Sequence, residues 1–188
     1  TLPAADIKRL KLDAFDRSND LKPLSVVTGD IIAKNAYEWS KATESPLAQA
    51  AVRGAEKITV RPLLGHSGKA VKLPKGASLS YDFYCDKSGD ARFTIAAIPC
   101  FLNAVKDMRV SVSIDRGEPV ICQLKEVYNS KNWQFDLWRG QTLKSFYVTL
   151  PGGSHNVTIK ALDDNVMIDQ WVLDYDVDRE YYVFPVAK

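Results

Sequence analysis

The stretch Ser80–Pro99, SYDFYCDKSGDARFTIAAIP, decides the fold. Tyr81 and Phe83 alternate with Ser80 and Asp82, and Leu79 precedes them in the same rhythm. After the turn DKSGD, Phe93 and Ile95 alternate with Arg92 and Thr94. A period of two marks strands with one face buried, and the Gly-bearing turn between them reads as a hairpin. The pattern recurs outward in both directions. KITVRPL alternates Ile58 and Val60 against Thr59 and Arg61, a half-buried strand, and Gly65 and Gly68 turn the chain in LGHSGKAVKLP. Val110, Val112 and Ile114 form the next alternation; Asp115-Arg-Gly-Glu-Pro turns it, and Val120 to Leu124 returns. Phe146, Val148 and Leu150 lead to the turn PGGSHN, then Val157, Ile159 and Ala161, and Val166 to Asp176 is the last long strand. Asp30 to Lys41 reads as the first strand. Many short strands at this spacing predict an all-β antiparallel fold, a sandwich or a barrel, with long loops and at most one short helix. That helix would follow Pro46 and end near Gly54; a surface loop accounts for the same residues.

Residues 1–23 are polar and mixed in charge, a linker or edge segment, and 24–188 form the sandwich. A chain of 188 residues buries enough surface to need no staple. Its three cysteines, Cys85, Cys100 and Cys122, sit in apolar contexts without metal or redox spacing, so buried thiols are expected. A net charge of +2 from 25 basic and 23 acidic residues offers no basic stripe for nucleic acid. No apolar run reaches the ~20 residues of a membrane-spanning helix. The chain begins at Thr1, which reads as a processed or excised piece.

Catalytic equipment is sparse. His66 and His155 both fall in Gly/Ser-rich turns, and GHSGK lacks the spacing of a nucleophile elbow. No two carboxylates are paired as glycoside hydrolysis requires, and Asp163-Asp164 reads as turn chemistry. No catalytic residue and no cofactor are expected. Asp174, Asp176 and Asp178 alternate, so oxygen ligands on one face raise calcium; a charged face protecting an edge strand accounts for them more simply.

Residues 126–145, EVYNSKNWQFDLWRGQTLKS, break the strand rhythm and read as a long loop. Tyr128, Trp133 and Trp138 are the best binding candidates there. Aromatic rings stack on the C–H faces of sugars while amides and charges bond the hydroxyls. Asn132 and Arg139, with Asn129 and Asp136 nearby, are placed for that second role. Packing of the loop onto the sandwich is the other reading of these aromatics. Trp39 and Trp171 read as strand residues facing the core or a sheet. Asn103 reads as capping a bend, with ligand contact as the other reading.

These segments, in this order, resemble the C-terminal domain of glycoside hydrolase family 115, the xylan α-glucuronidases, from about Gly29 onward. HSGKAVKLP and LSYDFY resemble that family's Gly-x-Ala-Val segment and YDFY strand. IPCFLNAVKDMRVSVSIDRGEP resembles its proline, Leu-Asn and strand-turn block, and Trp133 falls where the family tends to keep a Trp. LPGGSHNVTIKALDDNVMIDQWVLD resembles its closing strands, and YYVFPV its ending. The resemblance implies that the fold is an antiparallel jelly-roll-type β-sandwich, a non-catalytic accessory domain of a secreted, periplasmic or extracellular enzyme acting on glucuronoxylan. The implied partner is a xylan-type polysaccharide or oligosaccharide. The alternative is a structural domain packing on the parent enzyme or forming a homodimer. Two glutamates that help hold structural calcium in related sandwiches appear here as Lys34 and Ala36.

Overall fold

The structure, a computed structural model, describes residues 30–102, 104–181 and 184–185. The linker or edge segment expected at 1–23 and the bend expected at Asn103 lie outside the described residues. The strands are β1 (Ile31–Asn35), β2 (Lys41–Thr43), β3 (Thr59–Pro62), β4 (Lys69–Leu73), β5 (Ser78–Cys85), β6 (Gly89–Ala97), β7 (Arg109–Ile114), β8 (Val120–Gln123), β9 (Thr142–Leu150), β10 (Gly153–Ala161) and β11 (Val166–Asp174). Two short helices interrupt them, α1 (Pro46–Gln49) and α2 (Lys131–Arg139).

The expected all-β sandwich forms. One antiparallel sheet has the order β3-β4-β11-β6-β9, with β1 also on β11; the other has the order β2-β5-β10-β7-β8. The alternation read from the sequence fills the space between them. Leu79, Tyr81 and Phe83 from one sheet meet Phe93, Ile95 and Trp171 from the other. Trp171 is fully buried, stacked on Phe93 at 5.4 Å and edge-on to Tyr81 and Phe83 at 5.6 and 5.5 Å. The buried Tyr81 hydroxyl donates to the Ala36 carbonyl at 2.8 Å, which satisfies a polar tip inside the core.

Pairing differs from the local reading where the partner is distant in sequence. DKSGD is a corner rather than a hairpin: β5 pairs with β10 while β6 crosses to pair with β9 and β11. The PGG turn likewise carries the chain from β9 in one sheet to β10 in the other. The first strand is two strands, β1 in one sheet and β2 in the other, so Trp39 lies between them, half-buried against the core. β3 sits at a sheet edge and all four of its residues are exposed, not half-buried.

The last strand also differs. β11 lies in the centre of its sheet and ends at Asp174, which is completely buried. Asp174 accepts from the Tyr181 hydroxyl and the Asp176 amide and faces Arg179 at 3.2 Å. Asp176 and Asp178 lie beyond the strand, exposed, so the three aspartates form no edge face. The tail covers the outer side of this sheet: Phe184 packs with Ile31, Ala96 and Val172, and Gln170 donates to the Pro185 carbonyl at 3.2 Å.

Candidate functional site

Residues 126–145 hold a nine-residue helix rather than a plain loop. The Ser130 hydroxyl caps it by accepting from the Trp133 amide at 3.1 Å. Gly140 ends it in the left-handed conformation, φ 70°. Serine at one end and glycine ten positions on were the signal that a loop reading passes over.

The helix sorts the candidate residues. Trp133 meets Tyr128 edge-on at 5.2 Å and Phe101 edge-on at 5.5 Å. These three rings, with Lys106, Lys125 and Glu126, border a cleft of about 350 Å³. Tyr128 is 67% exposed. Lys125 donates to the Leu102 carbonyl at 2.6 Å, and Glu126 pairs with Lys144, so neither is a loose surface charge. Lys106 is exposed on the rim. Phe101, Lys106 and Lys125 were not among the sequence candidates: nothing local marks Phe101 and Lys106, about 30 positions before Trp133, as its neighbours, and Lys125 lies just ahead of the stretch that breaks the strand rhythm.

Trp138 does not join this group. Five residues place it about 140° around the helix from Trp133, where it meets Phe135 edge-on at 6.0 Å and is 77% exposed. Asn132 is exposed in the first turn. Asn129 is occupied locally, its carbonyl and side-chain oxygens both accepting from Gln134 at 3.3 Å. The Arg139 carbonyl accepts from His66 Nε2 at 2.8 Å, which requires the proton on that nitrogen.

Two buried carboxylates hold the helix in place. Asp136 points inward and accepts from the Thr142 hydroxyl at 2.6 Å. Burial pushes its carboxyl up to about 6, against the bond from Thr142, and the nearby Glu126 adds to the rise. Asp169, fully buried on β11, accepts from the amides of His66 and Ser67 at 2.7 and 3.2 Å, from the Ser67 hydroxyl at 2.5 Å and from Gln141 at 2.6 Å. One carboxylate thereby fastens the GHSG loop and Gln141, just past the Gly140 cap of α2, to the central strand. His66 then reaches across to the helix end. This gives the turn His66 a structural role.

His155 was read as a turn residue but lies buried in β10. Its Nδ1 bonds Asp115 at 2.6 Å and its Nε2 the Pro151 carbonyl at 2.8 Å. No serine or cysteine nucleophile bonds it among the described residues. Cys85 and Cys122 are buried free thiols whose pKa burial raises, and Cys100 is half-buried. No group of three or more metal-ligating side chains clusters among the described residues.

A family model described as the glycosyl hydrolase family 115 C-terminal domain matches residues 28–187. Among solved structures, BtGH115A, a family GH115 4-O-methyl-α-glucuronidase with specificity for decorated arabinogalactans, is similar at 26% identity with a TM-score of 0.64. The match covers 76% of this chain and 17% of that one, so the chain spans about a sixth of that enzyme. A family 35 carbohydrate-binding module from Clostridium thermocellum is similar at 14% identity, TM-score 0.53, over 76% of this chain and 98% of the module. A GH26-CBM35 β-(1,4)-mannanase from Podospora anserina is similar at 13% identity, TM-score 0.56, over 81% and 29%. The last two share the fold. No curated protein matches the chain.

Proposed function

This chain belongs to the glycosyl hydrolase family 115 C-terminal domain family, and from that premise we propose that it is a non-catalytic, carbohydrate-binding accessory domain of a secreted glycoside hydrolase. The observation that carries the reading is the cleft bounded by Phe101, Tyr128 and Trp133 with Lys106 and Lys125 on its border. Aromatic walls suit the C–H faces of a sugar, and ammonium groups suit a uronic acid carboxylate. The ligand is therefore a glucuronic-acid-decorated plant polysaccharide. The xylan type follows the family resemblance, and the similar BtGH115A adds decorated arabinogalactan as the competing backbone.

Isothermal titration tests it, with glucuronic-acid-decorated xylo-oligosaccharides, decorated arabinogalactan oligosaccharides and their undecorated forms. Saturable heat with a preference for decoration is expected. Trp133→Ala should weaken binding at least tenfold, about 1.4 kcal/mol, with the unfolding midpoint little changed. No heat with any of these at millimolar ligand would sink the reading.

A second reading, packing on the parent enzyme or on a second copy, rests on a different face of α2. Phe135 and Trp138 are 51% and 77% exposed there. Self-association on sedimentation that Trp138→Ala abolishes would favour it; a monomer at every concentration would remove the homodimer.

A further inference from the structure

The outward face of the β2-β5-β10-β7-β8 sheet carries a second polar surface, far in sequence from α2. Its side chains come from alternate positions of paired strands. Tyr84 lies opposite Ser154, Asp82 opposite Asn156 and Ser80 opposite Thr158, and Ser113 lies on the other side of Thr158. An outward face needs only to be polar, yet this one is organised. Asn156 donates to Asp82 at 2.7 Å, the Ser80 and Thr158 hydroxyls bond at 2.8 Å, and Thr158 donates to Asn156 at 3.3 Å. A depression of about 540 Å³ opens at one end, bordered by Tyr84, Asp82, Asn156, Ser154 and the His155–Asp115 pair. Tyr84 is 63% exposed beside it, an aromatic ring next to fixed donors and acceptors.

From this geometry we infer a second carbohydrate-contact surface on the outer face of this sheet, taking an uncharged stretch of glycan. Tyr84 supplies the stacking face; Asp82, Asn156 and Ser154 supply hydroxyl partners. A carboxylate offers about four acceptor positions, so Asp82 keeps capacity beyond Asn156. Charge selects the ligand. Asp82 is held ionised below the usual carboxylate range by its bonds from Asn156 and Ser40. Burial works against the His155 imidazolium, but Asp115 and the Pro151 carbonyl outweigh it and raise its pKa, while Asp115 is itself lowered. His155 can at most balance Asp115, so Asp82 leaves the depression negative. A uronic acid would be repelled there, whereas the Trp133 cleft with its lysines would attract one. The two surfaces divide a decorated polysaccharide by charge, backbone on the sheet and acidic branch at the helix. This division rests on the reading proposed above; the sheet surface itself does not.

The test is amide chemical-shift mapping on the 188-residue chain with two kinds of probe. The neutral probes are xylohexaose and undecorated galactan oligosaccharides; the acidic probe is a xylo-oligosaccharide bearing 4-O-methylglucuronic acid. Neutral probes should shift the resonances around Tyr84, Ser154 and Asn156. Tyr84→Ala should weaken that binding at least tenfold while the acidic probe still shifts the resonances around Trp133. Asn156→Ala is the second variant, should the first disturb β5. Neutral probes that leave the Tyr84 region unmoved, or that move only the Trp133 region, overturn the inference. An acidic probe that leaves the Trp133 cleft unmoved overturns instead the function proposed above, so the two failures are separable.

Discussion

Gly65→Ala is expected to cost the domain about 3–5 kcal/mol, among the largest effects a single methyl can have. Two causes act together. Gly65 has φ +79°, where a side chain costs roughly 1–2 kcal/mol. A Cβ built there would also lie 2.3 Å from Asp169 Oδ1. That oxygen cannot step aside, because Asp169 is fully buried and engaged by His66, Ser67 and Gln141. Relief requires breaking bonds to a buried carboxylate, which leaves a charge short of partners. Gly68→Ala is the control: φ +75° is nearly the same, but nothing lies within 4 Å of its Cβ, so about 1–2 kcal/mol is expected. For a domain of this size each kcal/mol lowers the midpoint by about 2–4 °C, so thermal unfolding should separate the two variants by roughly 5–10 °C. Equal losses would show that Asp169 does not press on the loop.

The Gly65 loop also shows how far the sequence could be read. Both glycines were legible as a turn, since tight reversals favour residues free to take positive φ. The buried acid that grips the turn was not, because Asp169 lies 103 positions from His66. The strands were legible for the same local reason: one face buried gives a period of two. Which sheet each strand joins depends on partners elsewhere. DKSGD and PGG look like hairpin turns but serve as corners. Asp174 looked like part of a charged edge because its strand's outer side is covered by the tail, and alternation cannot reveal a cover.

The binding candidates divided along the same line. Tyr128 and Trp133 are five apart and meet because Ser130 starts a helix between them. Trp133 and Trp138 are also five apart, yet they diverge because both lie within that helix. Spacing alone could not distinguish these cases without the cap. The sandwich was therefore readable as a pattern, whereas the cleft required knowing that Phe101 approaches from a distant loop.

Asp136→Asn is expected to stabilise the domain at pH 7.5 and to remove a pH dependence that the native chain shows. The carboxyl is raised from 3.8 to about 6 in the fold. The native state then holds a proton that the unfolded chain has released across that interval. Stability therefore falls as pH rises from about 4 to about 6 and is flat above. The interval, which already includes the neighbouring charges, sets a ceiling of about 3 kcal/mol, and solvent screening reduces it. Glu126 raises the carboxyl further, while Lys144 and Arg139 oppose it. Asparagine keeps an oxygen to accept from Thr142 and carries no charge to bury. Urea unfolding at pH 4.5 and 7.5 should show a native loss of about 1–2 kcal/mol between the two and a nearly flat variant. The variant should also be the more stable of the two at pH 7.5. A variant less stable at both values would mean that the ionised carboxylate is the working acceptor for Thr142. Trp133 lies one turn before Asp136 on α2, so the same titration bears on the cleft. A helix held by a neutral, hydrogen-bonded Asp136 keeps Trp133 against Tyr128 and Phe101, and glycan affinity in the native chain should weaken as pH rises through 6. In Asp136→Asn that dependence should disappear together with the stability slope. Loss of one slope without the other would show that the carboxylate supports the fold but does not position the tryptophan.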